Sequence, residues 1–212
     1  MKVLVVGGGG REHTLVWKLG QSPLVKKIYC APGNAGISQN AECVDIPVLD
    51  NQQLLKFAIK QKIDMTVVGP EAPLVNGIVD TFEENGVPIF GPSQRAAELE
   101  GSKAFCKYVL DKYDIPTADY RVYTDYEEAK SFLSKHKGRI VVKADGLAAG
   151  KGAFVCQNRE ESQSALDKIM KTREFGDAGN KVVVEECMVG DEVSVMAISD
   201  GENLVYMVPS QD

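Results

Sequence analysis

Over roughly the first hundred residues, short apolar runs alternate with stretches in which apolar side chains recur every three or four positions. The runs "KVLVV" (2–6), "KIYCA" (27–31), "DMTVVG" (64–69) and "VPIFG" (87–91) have the length and composition of strands. Between them, 11–20, 51–61 and 74–85 predict helices, and a short "CVDI" lies at 43–46. In the second helix Leu54, Leu55, Ala58 and Ile59 fall on one face. Strands alternating with helices predict a parallel sheet joined by right-handed crossovers. The loops that follow the strands, "GGGG", "APGNAG", "GPEAP" and "GPS", are rich in Gly and Pro. In open α/β sheets such carboxyl-end loops form the ligand crevice.

Near residue 93 the rhythm changes. Residues 93–113 predict helix in two pieces broken at Gly101, with Ser102 available to cap the second. "DKYDIPTADY" (111–120) then connects to a new unit. A strand (119–123), a helix (125–135), a strand (139–144), a glycine-rich loop, a strand (153–156) and a helix (160–171) are expected in turn. Residues 172–180 read as a mobile polar loop. "KVVVEECMVGDEVSVMAISDG" (181–201) predicts two strands separated by a turn near Gly190, and "NLVYMV" (203–208) another. The chain stops at "PSQD" directly after an apolar strand, so a piece of a longer protein is expected.

Composition narrows the class. With 44% hydrophobic and 25% charged residues in 212, the chain reads as an ordinary globular protein. A net charge of -6 takes weight from general nucleic-acid binding. No apolar run approaches the ~20 residues that span a bilayer, and the first run is too short for a signal segment. Five scattered cysteines without Cys-x-x-Cys spacing fit a reducing, cytoplasmic compartment. Two distant histidines, His13 and His136, argue against a zinc site.

Four stretches carry candidate chemistry. In "VVGGGGREH", Gly7 and Gly9 fit a dinucleotide fingerprint, but Glu12 stands where the third glycine belongs. NAD binding is therefore a poor fit. Amides at the helix start, with Arg11, can hold another ligand's phosphate, and a tight turn with no ligand is an equal reading. In "VVGPEAPL", Glu71 sits between two prolines at the sheet edge, where it can accept from an amine or hydroxyls. A simple helix start, with Glu71 facing the macrodipole, is the stronger reading of those residues alone.

"KADGLAAGKG" (143–152) resembles a P-loop at first sight. Only three residues separate Gly146 from Gly150, Gly152 rather than Ser or Thr follows Lys151, and a strand follows where a helix should start. The stretch is better read as a flexible hairpin whose amides close over phosphates, with Lys143 and Lys151 supplying charge. In "VVVEECMVGDE" (182–192), an apolar strand runs into Glu185, Glu186, Cys187 and Met188, which can offer backbone groups to an adenine edge. Glu192 can accept from ribose hydroxyls. Alone, this stretch reads by default as a solvated acidic turn.

"VVGGGGREH", "APGNAG", "VGPEAPL", "FGPS", "LEGSKAF", "KADGLAAGKG", "FGDAG" and "PSQD", taken in order, resemble the glycinamide ribonucleotide synthetases, of the ATP-grasp ligases. The resemblance covers Lys2 to Asp212. It implies an α/β fold: an amino-terminal parallel-sheet, Rossmann-like domain (1–101), a helical linker (102–118), a small α+β ATP-grasp subdomain with its lid (119–192), and the first strands of a truncated large subdomain (193–212). The implied reaction activates glycine with ATP as glycyl phosphate, which the amine of 5-phosphoribosylamine attacks, giving glycinamide ribonucleotide, ADP and phosphate.

Carried over by position, Lys103 and Lys143 contact ATP phosphates. Gly146, Leu147, Ala148, Ala149, Gly150, Lys151 and Gly152 form the lid. Glu185, Glu186, Cys187 and Met188 line the adenine pocket, and Glu192 binds the ribose. Gly9, Gly10, Arg11, Pro70 and Glu71 help bind phosphoribosylamine. The ligands for Mg2+ (or Mn2+) are expected beyond residue 212, so this chain alone is expected to be inactive. The expected partners are small molecules only, neither nucleic acid nor membrane, with room for fused purine enzymes downstream. The alternatives are another ATP-grasp ligase or carboxylase, and a nucleotide-binding module without chemistry.

Overall fold

The computed structural model describes residues 1–148 and 150–211. Its first unit contains β1 (Lys2–Gly7), α1 (Gly10–Gly20), β2 (Lys27–Pro32), β3 (Glu42–Cys43), α2 (Asn51–Gln61), β4 (Met65–Val68), α3 (Glu71–Val75), α4 (Ile78–Glu83) and β5 (Ile89–Phe90). The strands form one sheet in the order β3-β2-β1-β4-β5, with every pairing parallel. β1 is central and buried on both faces. Leu4 and Val6 pack with Leu54, Ile78 and Phe82, while Val3 and Val5 pack with Val16 and Ile28. An uninterrupted apolar run is what a doubly covered parallel strand requires.

The helix expected over 74–85 is two helices. α3 starts at Glu71, after Pro70 in extended geometry, so Pro73 falls within its first turn, where a missing N–H costs little. The chain then enters the left-handed region at Gly77 (φ 75°), which separates α3 from α4. α5 (Gln94–Gly101) and α6 (Lys103–Lys112) are broken at Ser102, whose hydroxyl accepts from Phe105 N and caps α6.

The second unit contains β6 (Tyr120–Tyr123), α7 (Tyr126–Lys135), β7 (Ile140–Ala144), β8 (Ala153–Cys156), α8 (Arg159–Leu166) and β9 (Val182–Glu186). Its sheet order is β6-β9-β7-β8, antiparallel throughout. Ile140, Val142, Val182 and Val184 pack with Leu133, Leu166 and Ile169 beneath the helices. By the two-residue period of a strand, Lys143 and Glu185 face the other way. The stretch 172–180, expected as a mobile loop, is packed instead. Gly176–Asn180 forms a 3-10 turn, and Phe175 lies against Phe154 with ring centres 6.0 Å apart.

β10 (Ala197–Ser199) and β11 (Leu204–Tyr206) make an antiparallel hairpin. The first of these strands was expected directly after Gly190 but begins only at Ala197, preceded by an isolated bridge from Ser194 to Ser210. Val193, Val195, Ile198, Val205, Tyr206 and Val208 are all exposed. Among the described residues, no helix is long and apolar enough to cross a membrane.

Candidate functional site

The first turn shows why Glu12 stands at the third glycine position. Its carboxylate accepts from Gly8 N at 3.1 Å and Gly9 N at 2.6 Å, and the residue is buried. It lies so close to the main chain that a Cβ on Gly7 would come within 2.4 Å of it, and one on Gly69 within 2.3 Å. Glu12 thus occupies the amides that hold pyrophosphate in dinucleotide folds. Asn34 of the "APGNAG" loop donates to Gly8 O at 2.8 Å and binds the two loops together.

Arg11, the next residue back, reaches over the sheet edge to Glu71, with Nη1 to Oε1 at 2.7 Å. Glu71 is the first residue of α3. Its own amide, and then Arg11, hold its carboxyl below the usual carboxylate range. The hydrogen bond from Arg11 to Glu71 raises the guanidinium in turn. Gly9, Gly10, Arg11, Pro70 and Glu71 therefore share one edge of the parallel sheet.

The second cluster is organised by α6. Lys103 Nζ donates to Gly146 O at 2.8 Å, which ties the helix to the start of the glycine-rich loop. Asp145 reinforces the tie: its carboxylate accepts from Ser102 Oγ and Ala104 N, both at 3.0 Å, and stands 3.9 Å from Lys181 Nζ. One turn further along α6, buried Lys107 donates to Thr117 Oγ1 at 2.7 Å and Ala118 O at 3.1 Å. It also lies 3.7 Å from Glu185 Oε1, while Lys143 Nζ donates to Glu185 Oε2 at 2.7 Å. Lys143 and Glu185 can meet because β7 and β9 are antiparallel neighbours, with Lys143 opposite Val183.

The loop 145–152 joins β7 to β8 as a hairpin, closed by Ala144 N donating to Gly152 O at 2.8 Å. No helix follows it, so the dipole arrangement of a P-loop is absent. Gly150 adopts φ 74° with open space where a Cβ would stand. The heel of the loop is anchored through Gly146 and Asp145. Ala149 lies outside the described residues.

Two cavities share Leu99's neighbour Glu100 and Lys103 as a common wall. One, of about 350 Å³, is lined by Arg11 and Glu71 from the first unit and by Gly146, Leu147, Ala148, Gly150 and Gly152 from the loop. The other, of about 440 Å³, is lined by Lys107, Thr117, Lys143, Glu185 and Met188. Residues named from distant stretches of sequence are thereby gathered around one helix face. Lys151 lies in the same loop, its amide donating to Ala148 O, with its side chain exposed. Cys187 is half-buried. Glu186 faces a separate groove with Arg121, Phe132, His136 and Arg139, and Glu192 is exposed beyond β9. Sequence reasoning missed Glu12's carboxylate as the occupant of the turn, and also Asp145 and Lys107. The spacing of Lys103 and Lys107, four apart on one helix, was the available signal for the last.

Comparison with known proteins covers the chain from end to end. Residues 1–100 match the model "Phosphoribosylglycinamide synthetase, N domain", and 101–212 match "Phosphoribosylglycinamide synthetase, ATP-grasp (A) domain". A phosphoribosylamine–glycine ligase of Caldanaerobacter subterraneus subsp. tengcongensis is 54% identical over all of this chain and 51% of its own length. The chain thus spans about half the length of the curated relatives it matches. The crystal structure of a phosphoribosylamine–glycine ligase from Thermotoga maritima superposes with a TM-score of 0.80 at 28% identity, over 99% of this chain and 49% of that one. The biotin carboxylase domain of a Hydrogenobacter thermophilus 2-oxoglutarate carboxylase, solved with MgADP, gives 0.77 at 19% identity over 98% of this chain and 49% of that one, a likeness of fold alone.

Proposed function

This chain belongs to the phosphoribosylglycinamide synthetase family, and we propose that its complete protein joins glycine to 5-phosphoribosylamine with ATP, a step of purine synthesis. The observation that carries the reading is the pair of cavities on either side of Lys103: one is walled by lysines, the other by the lid and the Arg11–Glu71 edge. ATP would be held in the first, with Lys103 and Lys143 against its phosphates. Glu185, Glu186, Cys187 and Met188 would meet the adenine through side chain or main chain, and Glu192 would meet the ribose. The loop from Gly146 to Gly152, with Lys151, would close over the phosphates. Phosphoribosylamine would lie against Gly9, Gly10, Arg11, Pro70 and Glu71. The amide of Gly9 is already bonded to Glu12, so its contribution is close approach without a side chain.

ATP would phosphorylate the glycine carboxylate to glycyl phosphate and leave as ADP. The amine of phosphoribosylamine would then attack the acyl carbon and expel phosphate. An acyl phosphate must be kept from water, which a lid with a fixed heel can do. Lysines that face the transferring phosphoryl group neutralise its charge. Magnesium, when bound, would share that task. Among the described residues no group of three or more His, Cys, Asp or Glu side chains is assembled to hold a metal, so none is assigned to it. In this reading residues 1–101 form the acceptor-binding domain, 102–118 the helical linker, 119–192 the small ATP-grasp subdomain and 193–212 the start of the large one.

The test is product formation by the complete protein. Incubated with ATP, glycine and freshly formed phosphoribosylamine, it should yield glycinamide ribonucleotide by mass spectrometry, with ADP release that requires both co-substrates. Absence of that product would overturn the reading.

A further inference from the structure

Building on the nucleotide-binding reading above, we propose that Lys107 is a positioning residue that fixes the Glu185 carboxylate and, through it, places the Lys143 ammonium at the cavity wall. Glu185 is held between two ammonium groups, Lys143 at 2.7 Å and Lys107 at 3.7 Å. The two lysines are differently placed. The Lys143 side chain is 27% exposed and lines the cavity with room to reach inward, whereas that of Lys107 is 9% exposed. Lys107 is moreover pinned by Thr117 Oγ1 and Ala118 O, and its ammonium lies over the Tyr120 ring, 5.2 Å from the centroid. A group held by two neutral oxygens and a ring face cannot follow a ligand.

The division of labour follows from charge. One carboxylate and two ammonium groups leave the cluster with a net positive charge facing the cavity. With Lys107 present, Glu185 keeps a cationic partner when Lys143 turns toward a phosphate. Without it, Lys143 is the one cation left on a buried carboxylate among the described residues, and a phosphate must compete with Glu185 for it. The geometry of α6 supports this. Lys103 and Lys107 lie on one face, so one helix sets both the heel of the lid and the anchor of Glu185.

The test uses the complete protein and separates ATP from glycine. Lys107→Met should raise the KM for ATP roughly tenfold or more, as expected when a charge-assisted contact is lost. The KM for glycine should stay within about twofold, and Lys107→Arg should recover most of the loss. In a double-mutant cycle, Lys107→Met should add little once Lys143 is already Ala. A purely structural lysine would behave otherwise: the melting temperature and the active fraction would fall, both KM values would stay put, and the two substitutions would add. That pattern overturns the inference. If Lys107→Met does not fold, Thr117→Val decides, since it removes one anchor of Lys107 and leaves every charge. An ATP KM raised about threefold supports the proposal, and an unchanged one rejects it. If the unsubstituted protein makes no glycinamide ribonucleotide, the functional reading fails instead. The same variants would then be compared by ATP equilibrium dialysis, where loss of affinity in Lys107→Met supports the anchor and unchanged affinity rejects it.

Discussion

Two ion pairs in this molecule close at the same distance, 2.7 Å, and do opposite things. Arg11–Glu71 joins the first turns of α1 and α3 at the edge of a parallel sheet, with side chains 75% and 36% exposed. Lys143–Glu185 joins two adjacent strands of an antiparallel sheet, 27% and 8% exposed, with Lys107 behind it. The first is solvated and screened, and is worth about 0–1 kcal/mol to the fold. A dissolved anion or amine can take over either partner at little cost. The second is held in place by strand register, and removing one member strands a buried charge. The lesson is that separation alone does not describe an ion pair. An exposed pair between two helix starts can be exchanged whole, whereas in the strand pair the Glu185 carboxylate stays fixed by Lys107 even if Lys143 turns away.

The contrast is open to attack at several points. The largest effect is expected from Glu185→Ala, which leaves Lys107 and Lys143 without their carboxylate. Urea unfolding should show a loss of about 3–5 kcal/mol, and a loss below about 1 kcal/mol would place this pair in the same class as the first. Next comes Lys143→Ala in the complete protein. Calorimetry should show ATP binding weakened by roughly 1.5–3 kcal/mol, and an unchanged dissociation constant removes Lys143 from the phosphate contacts. Gly150→Pro forces φ near -65° where 74° is needed, and should slow turnover far more than it alters glycine affinity. Equal turnover would mean that the tip of the loop does not have to move.

The smallest effect belongs to the exposed pair. Arg11→Ala should change stability by less than about 1 kcal/mol, and less still in high salt. The pH dependence has a definite sign. The folded Glu71 carboxyl lies below its ordinary value of about 4.5, so its contribution is present above that value and fades as pH falls through the lower, folded one. Glu71→Gln should remove that acid-side slope, and a slope that persists belongs to other carboxylates.

Much of this architecture can be read in the residues. Continuous apolar runs gave the parallel strands, and Ser102 was legible as the cap of α6, although the break expected at Gly101 falls one residue later, with Gly101 closing α5. Counting the spacing of 143–152 excluded a P-loop, and the strand–loop–strand hairpin agrees. What stayed hidden depended on distant partners. Lys107 reads as one more helix lysine until Thr117, Ala118 and Glu185 surround it. The start of the hairpin strand at Ala197 depends on where Leu204–Tyr206 comes to lie opposite. The sequence around 193–208 is as apolar as β9, yet β9 is buried while the hairpin is exposed. Apolar character fixes what a strand needs; neighbours decide whether it is met. In this 212-residue chain, changing Val195 and Val205 to Thr should lower aggregation and leave the melting temperature nearly unchanged, as light scattering and thermal unfolding would show.

Glu12 has one more consequence, for selectivity. A carboxylate tethered by its own short side chain is present at the Gly8 and Gly9 amides at an effective concentration that no dissolved dinucleotide can match. The protein in effect carries its own competitive inhibitor for that cradle. The fold keeps the shape of a pyrophosphate site while its Gly8 and Gly9 amides stay bonded to the chain's own carboxylate.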